Sequence, residues 1–166
     1  MGTIPDMSME RLIDYSRGDN LSAFWELFFC RNKIKNRLVR SLCTFLMCRL
    51  AHRHGGYVGP GAVVKSIPVL PHGLHGIFIS RFAEIGSDCC IYQNVTIGEI
   101  NHHAPVIGNR CLIGAGAVLV GNIHVGNDGK IGAGCVVSEN IPDGCVVVSA
   151  TPRIIIPGNN NQWSKT

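Results

Sequence analysis

The feature of this 166-residue sequence that most limits its fold is a spacing of six residues between large aliphatic side chains. An α-helix repeats its apolar side about every 3.6 residues and a strand every 2, so neither explains this spacing. Glycine directly follows four of the six residues listed below, which one long strand would not tolerate well. The spacing therefore predicts short strands with a corner after each, as in a parallel β-helix whose coils each contain three blocks. The six aliphatic residues are Ile107, Ile113, Leu119, Val125, Ile131 and Val137.

The same register continues towards the N-terminus with two interruptions. Nine residues instead of six separate Leu70 from Ile79, and ten separate Ile97 from Ile107. We therefore expect a coil of about five turns, from Val58 to about Val148. The fifth residue of a block is usually small enough for a tight corner, and cysteine serves there as a small hydrophobic residue. These corner positions are Ala62, Cys89, Cys111, Ala117, Gly129 and Cys135.

Composition supports one compact domain. Only 16% of the residues are charged and 46% are hydrophobic, which suits a fold with buried contacts between subunits. The eight cysteines lack paired CxxC spacing, and the opening MGTIPDMSMERL has no apolar stretch typical of a signal peptide. No apolar run approaches the ~18 residues of a membrane-spanning helix. We expect reduced thiols and a cytoplasmic location.

Residues 7 to about 54 are predicted to form three helices. The first ends at Gly18, the second covers LSAFWELFF with Asn20 or Ser22 as its cap, and the third runs from Asn32 towards His54. Apolar residues of the third helix share one stripe at helical spacing, and basic residues lie largely off it. The stripe contains Ile34, Leu38, Leu42, Phe45, Leu46 and Leu50; the basic residues are Lys33, Lys35, Arg37, Arg40 and Arg49.

This basic amphipathic helix has two interpretations. It could contact a membrane surface or an anionic polymer, because nine Lys or Arg and no acidic residue lie between Glu26 and Glu84. The favoured interpretation is a helix that packs on the coil with its basic side in solvent. The predicted organisation is a helical segment over 1–56, a β-helix domain over 57–156 and a polar tail over 157–166.

The two interruptions of the repeat concentrate histidine. They contain the sequences PHGLHG (71–76) and EINHHAP (99–105), which hold four of the seven histidines: His72, His75, His102 and His103. Histidine suits proton transfer near neutral pH, and loops on a rigid scaffold commonly carry functional sites. The two loops leave different corners, roughly 15–20 Å apart along a six-residue strand. Histidines of both loops could meet only between neighbouring copies, so we predict a homotrimer with three composite sites.

Three segments, GAGAVLVGNIHVGNDGKIGAGCVV, YQNVTIG and VLPHGLHGIFIS, resemble the serine acetyltransferase branch of the left-handed β-helix, hexapeptide-repeat acyltransferases. The resemblance covers about residues 58–156. It implies a mainly β fold, a left-handed parallel β-helix with a short N-terminal α-helical segment. It also implies acetyl-CoA as the acyl donor, bound in the cleft between two prisms, and no metal.

The resemblance implies roles for individual residues. His72 aligns with the family's general base, and His103 stands in for a second catalytic histidine. His75 and His102 are candidates for contacts with the acceptor. The other implied residues bind the donor: Gly98, Ala115 and Ala133 would contact its pantetheine arm, and Arg153 its nucleotide phosphates.

The acceptor is expected to differ from the family's usual one. Where the family has an aspartate and an arginine suited to hold serine, this chain has Pro71 and His102. We therefore expect transfer to a neutral hydroxyl of a sugar or glycan precursor, with serine as the alternative and no nucleic-acid partner. A third hypothesis is a zinc hydratase resembling carbonic anhydrase, with His72, His75 and His102 or His103 as ligands. A fourth is an inactive scaffold.

Overall fold

The structure is a computed structural model that describes residues 21–151. Helix α1 (Ser22–Arg31) and helix α2 (Arg37–Arg53) precede thirteen short strands. The strands are β1 (Tyr57–Val58), β2 (Val63–Val64), β3 (Phe78–Ile79), β4 (Glu84–Ile85), β5 (Cys90–Ile91), β6 (Thr96–Gly98), β7 (Val106–Ile107), β8 (Leu112–Ile113), β9 (Val118–Val120), β10 (His124–Val125), β11 (Lys130–Ile131), β12 (Val136–Val137) and β13 (Val146–Val147).

The strands form three parallel sheets that are the three faces of a prism. Sheet A has the order β1-β3-β6-β9-β12, sheet B the order β2-β4-β7-β10, and sheet C the order β5-β8-β11-β13. The chain passes from A to B to C and back to A, so each set of three strands is one coil. In sheet A, Leu119 pairs with Ile97 below it and Val137 above it. The six-residue spacing and the predicted parallel β-helix are confirmed.

The core is a column of aliphatic side chains enclosed by small corner residues. All six aliphatic residues from Ile107 to Val137 are buried, as are the predicted corner residues. The Sγ of Cys111 lies 3.1 Å from the carbonyl oxygen of Gly126, and Cys89 makes the same contact one coil earlier. The adjacent Cys89 and burial raise the pKa of the Cys111 thiol. These thiols therefore serve as small hydrophobic residues, and all eight cysteines are free.

The helix boundaries differ from the predicted ones. Helix α2 begins at Arg37 rather than Asn32, because the Asn36 side chain accepts hydrogen bonds from the backbone N–H groups of Leu38 and Val39, at 2.9 and 3.2 Å. Leu21, not Ser22, holds the N-cap position of α1. The first predicted helix, Asn20 and the polar tail lie outside the described residues.

Helix α2 packs on the protein through an unexpected face. Cys43, Met47 and Ala51 are buried, and Met47 and Ala51 join one hydrophobic cluster with the aromatic residues of α1 and the start of the coil. Most of the stripe predicted to pack faces solvent instead, including Leu42 and Phe45, and only Leu50 at its end is partly buried against the cluster. The predicted packing face was therefore wrong, because the aromatic residues of α1 cover the opposite side. Within residues 21–151 no helix is both long enough and apolar enough to span a bilayer.

Candidate active site

The two histidine loops leave different corners of the prism. The first loop (71–76) connects sheet C to sheet A, and the second loop (99–105) connects β6 of sheet A to β7 of sheet B. The strands of sheet A run between these two corners, so the length of one strand segment separates the loops. The structure thus confirms that the loops leave successive corners, so a single chain places its two pairs of histidines at opposite edges of one sheet.

The first loop is held rigidly by its backbone and by one apolar side chain. Leu74 is fully buried beneath it. The N–H of Gly76 donates to the carbonyl of Gly55 at 2.9 Å, and the N–H of Asn94 donates to the carbonyl of His75 at 3.0 Å. Gly76 has φ 67°, and a side chain there would collide with Oδ1 of Asn94. The loop therefore presents His72 and His75 to solvent from a fixed backbone.

The imidazole of His72 lies beside an aromatic residue that the sequence did not single out as part of the site. Its ring centroid is 6.1 Å from that of Tyr92, with the planes tilted by 54°. Tyr92 follows the buried Ile91 of the next coil, at the same corner between sheets C and A. A count of the repeat register could have placed Tyr92 above the first loop. This contact limits the orientations open to the His72 ring.

The second loop is a tight hairpin. Ile100 and His103 exchange two backbone hydrogen bonds of 2.8 and 3.0 Å. The two residues between them have φ of 51° (Asn101) and 64° (His102), the positive values of a type I′ turn. The His102 ring contacts Phe82 edge-on, at a centroid distance of 5.4 Å. His102 is thereby held against the same corner of the preceding coil, while His103 is exposed at the base of the hairpin.

A buried hydroxyl anchors the base of the second loop. Among the described residues Ser80 is the only polar one that is buried, and its hydroxyl donates to the carboxylate of Glu99. The N–H of Phe82 donates to Ser80 Oγ at 3.2 Å. This group ties Glu99 and Phe82 together beneath the histidines. The sequence gives one signal for this buried hydroxyl. Ser80 directly follows the inward-facing Ile79, and that position is glycine in most other blocks of the repeat.

Two of the predicted donor-binding residues lie on the same corner as the first loop. The N–H of Gly116 donates to the carbonyl of Gln93 at 3.0 Å, and the N–H of Gly134 donates to that of Ala115 at 2.9 Å. Ala115 and Ala133 are therefore stacked in successive coils above the first loop. No atom lies within 4 Å of the positions that side chains would take at Gly116 or Gly134. This corner is an open track of small residues, here called the small-residue column.

The other residues predicted to bind the donor are placed differently. Gly98 ends β6 at the opposite edge of sheet A, where an added Cβ would lie 3.1 Å from Cγ1 of Val120. Arg153 lies outside the described residues. Gln93, at the base of the small-residue column, has a buried Oε1 with no hydrogen-bond partner in the described part of the chain. Over residues 21–151, no three His, Cys, Asp or Glu side chains are close enough to bind a metal ion within one chain.

Comparisons with known proteins agree with this architecture. The bacterial transferase hexapeptide family (six repeats) matches residues 104–139. A serine acetyltransferase of Synechococcus elongatus is 37% identical over 105 residues, 61% of this chain and 43% of the relative. One of Helicobacter pylori is 38% identical over 102 residues, 59% of each chain. These matches confirm the resemblance to the serine acetyltransferase branch of the hexapeptide-repeat acyltransferases.

Solved structures of this branch have the same fold. The serine acetyltransferase of Neisseria gonorrhoeae in complex with serine is 28% identical, with a TM-score of 0.67 over 78% of this chain and 54% of that one. Isoform 3 of Entamoeba histolytica in complex with cysteine is 35% identical, with a TM-score of 0.61 over 68% of this chain and 42% of that one. The predicted left-handed β-helix is confirmed. The chain spans about half the length of these relatives.

Proposed function

We propose that the protein is an acetyl-CoA-dependent O-acetyltransferase of the cytoplasm, with serine as its acceptor. The observation that carries the proposal is the placement of His72, exposed on a rigid loop, at the lower end of the small-residue column. An extended acyl-donor arm could lie along this column with its thioester beside the histidine. Serine as the acceptor comes from the relatives, which favour the alternative of the sequence analysis over its preferred sugar. Eight free cysteines suit a reducing compartment.

The proposed reaction needs a general base and a group that stabilises the negative charge on the carbonyl oxygen. His72 takes the proton of the acceptor hydroxyl as that oxygen attacks the thioester carbonyl carbon. The carbonyl oxygen gains negative charge, which backbone N–H groups stabilise. The carbon–sulfur bond then breaks, and the proton held by His72 passes to the leaving thiolate. His103 and His102 of the second loop are proposed to orient the acceptor, and His75 to contact it.

A neutral hydroxyl of a sugar or glycan precursor is the second candidate acceptor. The specific observation is that Pro71 and His102 occupy the positions where a carboxylate and a guanidinium would hold serine. An acceptor without charges needs neither group. A glycan precursor held at a membrane would also bring the enzyme to a lipid surface.

Release of coenzyme A thiol from acetyl-CoA tests these proposals directly. We expect turnover with serine, and the same assay with a panel of sugars and nucleotide sugars measures the second candidate. Turnover with sugars and none with serine would reject serine as the acceptor. Stoichiometric zinc in the purified protein, together with no binding of acetyl-CoA, would reject the transferase and favour the hydratase.

We further propose that the chain forms a homotrimer. Outward-facing side chains of the strands include exposed apolar residues on all three sheets, such as Val63, Val136 and Val146. Burial of these residues against neighbouring copies would remove apolar surface from water. A three-fold arrangement would set the first loop of one copy beside the second loop of the next. Gln93 Oε1 could then accept a hydrogen bond from the donor or from a neighbour.

A mixture of two inactive variants should recover activity if the sites are composite. His72→Ala and His103→Ala each remove one half of every site in their own homotrimers. In trimers reassembled from equal amounts, about a quarter of the sites combine an intact first loop with an intact second loop. We expect about a quarter of wild-type activity after joint denaturation and refolding. Variants refolded separately and then mixed are the control, and equal activity in both samples would contradict composite sites.

A further inference from the structure

Helix α2 exposes its most apolar side to solvent. We call Leu38, Val39, Leu42, Phe45 and Leu46 the α2 stripe. Leu38 is 83% exposed, Leu42 60% and Phe45 61%, and these three lie on the side opposite the buried Cys43, Met47 and Ala51. Val39 and Leu46 flank them and are also exposed. Isolated exposed leucines are ordinary, but a contiguous row of this size marks a surface that another body covers.

The surroundings of the α2 stripe carry positive charge. Arg37, Arg40, Arg49 and Arg53 lie on the helix, which has no acidic residue, and none occurs between Glu26 and Glu84. At the C-terminal end of the helix, a groove of about 580 Å³ is lined by the apolar side chains of Leu27, Leu46 and Leu50. Arg49, His52 and Arg53 line the same groove. Leucines and arginines that line one groove match an acyl chain that ends in an anionic head group.

We propose that the α2 stripe inserts into the surface of a membrane that contains anionic phospholipid. An interfacial helix lies parallel to the bilayer, with its apolar side about 5–10 Å deep and its basic residues among the phosphates. Charge complementarity favours this occupant over a second copy of the chain. Symmetric pairing of two α2 helices would bring their arginines together without a single helical carboxylate between them, and such like-charge contacts are unfavourable. This inference does not depend on which acceptor the enzyme uses.

Flotation with lipid vesicles tests the proposal on the full chain. The probes are vesicles of phosphatidylcholine alone and vesicles in which a third of the lipid is phosphatidylglycerol. We expect binding to the anionic vesicles and much weaker binding to the neutral ones. The variant Leu42→Gln/Phe45→Gln should lose at least about tenfold in partitioning because it removes two inserted side chains. Arg49→Gln/Arg53→Gln should lose roughly fivefold per arginine, and high salt should reduce wild-type binding similarly.

Two controls keep the result interpretable. Val148→Gln changes an exposed apolar residue beyond the last strand, so it should bind vesicles as the wild type does. Sedimentation equilibrium of the wild type and of Leu42→Gln/Phe45→Gln, without lipid, should give equal masses. A lower mass for that variant would show that the α2 stripe joins copies of the chain and would overturn the proposal. Equal binding to both vesicle types, or none to either, would overturn it as well.

Discussion

Replacement of His72 by alanine is expected to lower kcat/KM for acetyl transfer by about 10²–10⁴-fold, the usual contribution of a general base. Without the imidazole, the acceptor hydroxyl must lose its proton to water as it attacks the thioester. Binding of acetyl-CoA should change little, because the small-residue column consists of other residues. Thiol release gives the rate, and calorimetric titration gives the affinity for acetyl-CoA.

The structure supplies reasons why this variant should still fold. The His72 side chain is exposed, and the first loop is held by the buried Leu74 and by backbone bonds of Gly76 and His75. His124→Ala is the matched control, because His124 is an exposed histidine of β10 that belongs to neither loop, although β10 pairs with β7 at the end of the second loop. We expect wild-type activity from the control. An active His72→Ala protein would mean that another group is the base or that the chain is a scaffold.

The coil could be predicted from sequence because its information is local and repeated. Each block places one large aliphatic residue inward and one small residue at a corner. The parallel register then stacks the large residues of successive coils on one another, and the small corner residues likewise. Ile97, Leu119 and Val137 stack as their spacing requires, although ten residues instead of six separate Ile97 from Ile107. A surplus in such a repeat must leave the coil at a corner, which is why the positions of both histidine loops were predictable.

The contacts that the sequence did not predict depend on which surfaces meet in space. The helical pattern identifies the most apolar side of α2, but the partner decides which side is buried. The aromatic residues of α1 pack with Met47 and Ala51. The side of α2 with the smaller apolar area is therefore buried, and Leu42 and Phe45 are exposed to solvent. The contact of Tyr92 with His72 also joins residues of successive coils, so it follows from a count of the repeat register across coils and not from the sequence of one coil.

Truncation of Leu119 to alanine is expected to lower the free energy of unfolding by about 2–5 kcal/mol, the largest stability effect that we predict. Leu119 is fully buried in sheet A between Ile97 and Val137. Both neighbours are fixed by the parallel backbone ladder, so the coil has little freedom to close over the cavity. Chemical denaturation at a fixed protein concentration measures the change, since an oligomer's apparent stability depends on concentration.

Leu38→Ala separates the effect of burial from that of the lost methyl groups. It removes the same atoms from a residue that is 83% exposed, on a helix that tolerates alanine well. We expect a change within about 0.5 kcal/mol for this control. Similar costs at both positions would mean that Leu119 is not enclosed by the coils above and below it, which the prism architecture requires. A large difference would show that the six-residue spacing stabilises the protein through stacked, buried side chains.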